Sequence, residues 1–380
     1  EIGQFTASLL NKGTERLSRQ EIKDSFDKLN AQVTIGGSAE GITANVTATR
    51  DKLPAALELL AEVLKKPAFP ANEFEEFKLA IVGRIEQSIP EPQAQASNAL
   101  ARLTDATPAG HVLHAKTLPE QVLAAKAVKL EDVKAFHQNY FGADNASFAA
   151  VGDFDVAALK TQLNNLFGSW KAKQSYTRIA RNMKAVAGQK ITLNTPDKAS
   201  SFLLAVHPVA IKDDAAVYPA LLMANHMLGG GALRSRLADR IRQKEGLSYG
   251  VGSFLNVPSQ DPSGFWGAYA LSAPQNTAKV EAALREEVQK ALSEGFTEAE
   301  LIEAKKGWKQ GEEVNRTQDA GLAGQLATYL AINRTMKFDQ DFEAKVAALS
   351  LTQVNEALRQ IIKPEVISII NAGDQAKLAK

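Results

Sequence analysis

Beyond its carboxylates, the side chains in this chain able to do metal or acid–base chemistry near neutral pH are few. It holds five histidines, His111, His114, His137, His207 and His226, and no cysteine. The missing thiols exclude disulfides, Cys-ligated zinc, iron–sulfur clusters and a thiol nucleophile. His111-Val-Leu-His114 has a spacing that can bind metal, but no carboxylate accompanies it, and Pro108–Gly110 just before it marks a loop. A solvated loop or an interdomain contact is the expectation there. Gly229-Gly230-Gly231 can in principle cradle a phosphate. The flanking pattern is not a P-loop and no Lys-Ser/Thr follows, so a flexible connection between helices is expected instead. His226 stands amid the apolar residues of a helix and reads as a core or groove histidine. No nucleophile–base set of an independent hydrolase is visible.

These residues must be positioned by a chain of 380 residues and 40.9 kDa, too long for one ordinary core, so two or three domains are expected. Hydrophobic residues make up 45% and charged residues 23%, the balance of a folded globular protein. Lys plus Arg number 44 against 43 Asp plus Glu, so the basic excess of a nucleic-acid binder is missing. No run of 18 apolar residues occurs, and no membrane span is expected; the most apolar stretch, Ala215 to Leu233, is broken by Asn225, His226 and three glycines. The first residues, EIGQFTASLLNKGT, have neither a basic n-region nor a cleavage site and read as a start in the middle of a longer chain. The compartment stays open. A cysteine-free chain favours an exported, periplasmic bacterial setting over a cytoplasmic one, although cytosolic proteins can also lack cysteine.

Self-comparison reveals a repeat. Residues 130–153 and 351–374 share Leu-x-x-Val at the start and Gly-Asp at the end, at an offset of 221. Residues 53–81 resemble 280–308 at an offset of 227. In the first copy Leu53, Leu57, Leu60 and Leu64 fall on one helical face. Thr297 with Glu300 forms a capping box in the second. Strands are expected at QVTIGG, at the alternating Ile42 to Ala48, and at KITLNT, SFLLAVHP, LSYGVGSFLNV and SGFWGAYALS. Two more are expected, at Ala146 to Val151 and Val366 to Ile370. Strands and helices cluster rather than alternate, which predicts an α+β fold of two tandem homologous domains, residues 1–178 and 179–380, joined through the polar stretch Lys171 to Asn182.

The stretch LLNKGTERLSRQEI, the hairpin after it and LPAALELLAEVLKKPAF resemble the pitrilysin/insulinase-type inverted zinc peptidases, whose relatives include the mitochondrial processing peptidase and the core proteins of the respiratory bc1 complex. GGGALRSRLADRIRQKEGLSYGVGS in the second repeat resembles the family's Gly-rich segment and its Arg…Tyr element. The resemblance implies two α/β sandwich domains forming half of a clamshell. Active members carry His-x-x-Glu-His just before the Lys-Gly-Thr segment, two zinc ligands and a water-activating carboxylate. Aligned on Lys12–Gly13–Thr14, the motif's ligands and base fall on Gln4, Ala7 and Ser8, and His-x-x-Glu-His occurs nowhere in the chain. The window for the third ligand, Gly83, Arg84 and Ile85, has no carboxylate before Glu86. The first repeat therefore reads as a degenerate peptidase domain with no metal site, and zinc is expected only in a partner half.

What remains is Arg242 and Tyr249, seven residues apart. The resemblance implies that this pair reaches across the clamshell to substrate bound at the zinc of the opposite half. An Arg can offer fixed donors to a peptide carbonyl, and a Tyr hydroxyl can donate to the oxyanion formed when water attacks. The residues alone read equally as a surface Arg at a helix end and a Tyr packed in a strand. The expectation is a non-catalytic half that pairs with a zinc-bearing half, fused or separate, and encloses a peptide. The alternative is a purely structural subunit like the bc1 core proteins, with no part in proteolysis.

Overall fold

The computed structural model describes residues 1–37 and 41–378. In the first half of the chain, Ile2–Leu9 (α1) and Arg19–Lys28 (α2) precede a hairpin of Gln32–Gly37 (β1) and Ile42–Thr47 (β2). Then come Leu53–Lys65 (α3), Ala71–Ser88 (α4), Pro92–Thr104 (α5), Leu118–Ala127 (α6), Leu130–Tyr140 (α7) and Val156–Phe167 (α8). The second half opens with Lys190–Asn194 (β3), Ser201–Val209 (β4), Tyr218–Asn225 (α9), Ser248–Asn256 (β5) and Gly264–Ser272 (β6). It ends with Thr277–Ser293 (α10), Glu298–Arg316 (α11), Asp319–Ala331 (α12), Lys337–Ala348 (α13), Leu351–Ile361 (α14) and Ser368–Gly373 (β7). The architecture is α+β. The repeat is visible in it: α4 and α11 start 227 residues apart, as do α5 and α12, while α7 and α14 start 221 apart.

The chain divides into two compact units, neither continuous in sequence. One comprises Glu1–Ile85, Glu120–Ile179 and Asn315–Thr335; the other comprises Glu86–Pro119, Ala180–Val314 and Met336–Lys380. The division crosses the 178/179 boundary twice, and it does so symmetrically. Helix α5, from the first repeat, belongs to the second unit, and its counterpart α12 belongs to the first.

The second unit is built on a five-stranded sheet of order β3-β7-β4-β6-β5, parallel only between β3 and β7. The central strands SFLLAVHPV and SIINAG are buried almost throughout, which explains why they read as near-continuous apolar runs rather than alternating ones. One face carries Leu203, Ala205, Trp266 and Ala268 against Leu221 of α9, Leu284 of α10 and Leu358 of α14. The other face, Phe202, Leu204, Val206, Ile370 and Ala372, is covered by α5 through the fully buried Ala96 with Leu100 and Leu103. A small residue at 96 lets the helix come close to the sheet, and the leucines one and two turns on fill the flanks.

In the first unit, α1 packs on β1 and α7, and α12 reaches β2. Phe5 is buried against the rings of Phe74 and Phe77 of α4. The expected helical face of α3 is buried at Leu57, Leu60 and Leu64. Two strand expectations need correction. Residues 146–151 form no strand. In the second unit β7 is held between β3 and β4, whereas no strand among the described residues pairs with 146–151. The strand expected at 366–370 is displaced to Ser368–Gly373, because Pro364–Val366 closes a tight 3-10 turn first. The capping box of Thr297 and Glu300 is present at the start of α11.

Two histidines are structural. His137 Nε2 donates to the Leu64 carbonyl at 2.8 Å while its ring packs on Phe69 and Phe141. His207 Nε2 accepts from the Lys363 N–H at 3.1 Å, which only a neutral imidazole can do. Burial pushes both pKa values below the usual histidine range. The unfolded chain therefore binds more protons than the folded one just below pH 6.5, and stability is lost as pH falls through that window. Thermal unfolding at pH 7, 6 and 5 should show a falling midpoint, and His207→Gln, which keeps an acceptor, should flatten the slope; a pH-independent midpoint in the unaltered protein would contradict this. The exchanged helix makes a second prediction. Residues 180–380 alone should bind apolar dyes and unfold without a cooperative transition, and restoring residues 86–119 should recover cooperativity, as read by calorimetry.

Candidate functional site

The Gly-rich segment is anchored rather than loose. Helix α9 runs into a π-helical turn, His226–Gly230, so Gly229 and Gly230 are not the flexible connection expected of them. Buried Asn225 fixes the turn to the sheet: its Oδ1 accepts from Ser253 Oγ of β5 at 2.7 Å and from Trp266 Nε1 of β6 at 3.1 Å. The turn then lies so close to β5 that a Cβ on Gly229 would come within 2.5 Å of Ser253 Oγ. Any other residue at 229 would push the segment off the strand. His226 is half-buried beside Gly231 and Gly307, and burial lowers its pKa. It thus sits between the core and groove placements expected, with no carboxylate ion-paired to it among the described residues.

A second π-helical turn, Ala238–Lys244, follows. π-helical turns are rare and concentrate at functional sites, and this segment has two. Five cations stand between residues 234 and 244, and four are spent on carboxylates. Arg236 grips Glu300 with two bonds of 2.6 and 2.8 Å, donates to the Gly295 carbonyl at 2.8 Å and lies over the Phe296 ring. Arg240 is held by Glu245, Glu286 and Glu287, which raise its pKa further. Arg234 pairs with Glu303 at 2.9 Å and Lys244 with Asp239 at 2.6 Å. Arg242 is the exception: its side chain is exposed, and it has no ion pair among the described residues.

The end of this turn is tied to the start of β5 by a bond from Leu247 N–H to the Ile241 carbonyl at 2.9 Å, across a turn in which Gly246 takes φ +60°. Arg242 and Tyr249 therefore flank one short, fixed connection. Tyr249 is the extra residue of a β-bulge: Ser248 pairs with Ser272 and Gly250 with Leu271, leaving Tyr249 unpaired and 65% exposed. Neither side chain hydrogen-bonds another described residue, so the donors of both face outward unspent.

The first-repeat positions hold nothing comparable. On α1, Gln4 is exposed, Ser8 half-buried, and Ala7 buried so tightly against Gly37 of β1 that a Cβ on that glycine would clash with it. An amide, a methyl and a hydroxyl do not make a zinc site, and the base is absent; the residues present do not fit the metal. Among the described residues no group of three or more His, Cys, Asp or Glu is arranged to hold a metal ion. His111 and His114 lie in the expected loop, but sequence reading missed their carboxylate. Asp105, from the end of α5, stands 2.8 Å from His114 Nδ1 and accepts from Thr107 and Ala115. Burial would raise the Asp105 pKa, but these hydrogen bonds and the facing imidazole outweigh it and hold it at about 2. The histidine is thereby engaged in a loop staple. Asn225, Ser253 and Ser248 were also missed; single small polar residues inside strand and helix patterns give no local signal.

Comparisons with known proteins bear on the family and the fold. A family model described as "Insulinase (Peptidase family M16)" matches residues 2–116, and one described as "Peptidase M16 inactive domain" matches residues 127–307. The chain is 22% identical over 363 residues to the "Non-peptidase homolog YmxG" of Helicobacter pylori, covering 94% of this chain and 81% of that protein. It is also 22% identical over 362 residues to the "Uncharacterized zinc protease YmxG" of Bacillus subtilis, covering 95% and 85%. The crystal structure of a peptidase M16 inactive domain from Pseudomonas fluorescens superposes with a TM-score of 0.82 at 23% identity, over 97% of this chain and 87% of that one. The periplasmic protease PqqL of Escherichia coli shares the fold over 98% of this chain and 40% of its own, with a TM-score of 0.74 at 15% identity. With models of one family matching both repeats and the zinc ligands and base replaced, the chain belongs to the insulinase-type peptidase family M16, as an inactive homologue.

Proposed function

We propose that this chain is the non-catalytic half of a two-part zinc endopeptidase. It pairs with a half that carries His-x-x-Glu-His, helps to enclose an extended peptide, and presents Arg242 and Tyr249 to it. The observation that carries this reading is the uneven use of charge in residues 234–244. Four cations there are neutralised by named carboxylates, while Arg242, on the same turn, is exposed and unpaired among the described residues. Tyr249, which alternation along β5 would bury, is instead turned out of the ladder. A protein that used this segment only as a scaffold has no need to keep both groups free.

The roles follow from the groups. A guanidinium offers planar donors to a carbonyl in the ground state. A phenol held in place gives most where charge develops, on the oxygen of the attacked carbonyl. Zinc and its activated water belong to the partner half, fused or separate. The missing cysteines and the periplasmic Escherichia coli protease of the same fold support an exported setting.

The test is co-expression with the His-x-x-Glu-His homologue of the same genome, followed by peptide-cleavage kinetics. Tyr249→Phe should lower kcat by roughly 10²–10³-fold with KM little changed. Arg242→Ala should raise KM as well as lower kcat. Both variants should still assemble. Full activity in both would leave the chain a structural subunit without part in proteolysis. The chain alone should retain no stoichiometric zinc after dialysis against excess metal, measured by elemental analysis; one tightly bound zinc per chain would contradict the reading.

A further inference from the structure

The strand that presents Tyr249 would, by its own alternation, hide it. From Gly250 onward β5 is regular: Gly250 faces Leu271, Val251 faces Ala270, Gly252 faces Tyr269 and Ser253 faces Ala268. Val251 and Ser253 belong to the face packed on the Gly-rich turn and the helices, and both are buried. Continued one residue back without a break, that pattern pairs position 249 with Ser272 and sends its side chain to the same buried face. The bulge prevents this. Ser248 takes the place opposite Ser272, and Tyr249 is squeezed out to solvent.

The bulge has its own fastening, and it is one side chain. Buried Ser248 places its hydroxyl 2.7 Å from the Leu271 carbonyl and 2.8 Å from the Gly250 carbonyl, and accepts from the Gly250 N–H at 3.2 Å. These are backbone groups on both sides of the irregularity, on the bulged strand and on its partner. The hydroxyl thus supplies polar partners where the ladder is interrupted, which backbone pairing alone cannot do. A second pair of bonds fixes the preceding residue: Leu247 N–H to the Ile241 carbonyl at 2.9 Å, and Asn276 Nδ2 to the Leu247 carbonyl at 3.4 Å. Everything up to residue 247 and from residue 250 onward is held by ladder or loop bonds. Between them, the Ser248 hydroxyl is the side-chain group that bonds both to the bulged strand and to its partner.

We propose that Ser248 is the positioning residue for Tyr249: its hydroxyl locks the bulge that turns the phenol away from the core and toward the peptide. This rests on the functional reading above for its purpose but not for its geometry. Ser248 touches no substrate in this role; it acts through the register of β5. Removing the hydroxyl leaves the Gly250 and Leu271 groups short of a partner and weakens the preference for the bulged register over regular pairing.

Geometry and purpose are tested separately. The full chain is labelled with fluorotyrosine, and the Tyr249 line among its six tyrosines is assigned by its loss in Tyr249→Phe. Ser248→Ala should move, broaden or split that line while the Tyr269 line stays in place; Ser248→Thr, which keeps the hydroxyl, should restore it. Ser248→Cys, which keeps the size but not the strong donor, serves the same purpose if the alanine variant does not fold. An unchanged Tyr249 line in a folded variant without the hydroxyl overturns the proposal. In the paired cleavage assay Ser248→Ala should lower kcat, by up to about 10²-fold for a displaced group, and should cause no further loss in a Tyr249→Phe background. Independent, multiplying losses overturn the positioning role. If Tyr249→Phe itself has no effect on cleavage, the functional reading fails while the fluorine spectra still decide whether Ser248 sets the tyrosine.

Discussion

The segment from Asn225 to Tyr249 depends on one close approach, that of the Gly229 backbone to Ser253 of β5. It is possible because position 229 has no side chain, and it is held because Asn225 accepts from both Ser253 and Trp266. Trp266 is itself buried in the core between the sheet and its helices, so the π-helical turn inherits the rigidity of the core. From that fixed point the chain runs through the Arg236–Glu300 fork and the Arg240 cluster to the bulge. Each link is a buried or multiply bonded polar group. This arrangement gives side chains on a connecting segment the placement of side chains on a sheet.

The contrast between the two repeats follows from the same logic. At the positions of the zinc motif, the first repeat keeps the helix and loses the chemistry: α1 still buries Phe5, Ala7 and Leu9, while the polar groups the metal needs are gone. Packing constrains apolar positions whether or not the protein is an enzyme. A metal ligand that packs against nothing is constrained only by the metal. The second repeat shows the reverse: Arg242 and Tyr249 contribute little to packing and are exposed on a backbone that is itself tied down.

Much of the fold could be read from the residues because burial and periodicity travel together. The leucines of α3, the alternation of β2 and the apolar runs of β4 and β6 each announce their element. The strand expected at 146–151 is the informative exception: its composition suits a strand, yet a strand exists only with a neighbour, and neighbours are not a local property. The degenerate metal site was legible because absence of His-x-x-Glu-His is a fact of sequence. The bulge at Tyr249 was not, because a one-residue register shift is decided by bonds from Ser248 to groups on two strands. Nor was the partnership of Asp105 with His114, nine residues apart and joined by a loop of no regular period.

The reciprocal placement of α5 and α12 also sets an order of events on the ribosome. The first unit includes residues 315–335, so it cannot be completed until most of the chain has been made. The second needs residues 86–119, which emerge early and must then wait for the sheet they cover. At translation rates of roughly 5–20 residues per second, α5 spends on the order of ten to fifty seconds with its apolar face uncovered before both β4 and β7 are available. Folding here is therefore close to a single late event rather than one domain after another. The nascent chain passes through a period in which it offers chaperones a helix whose proper neighbour has not yet been synthesised.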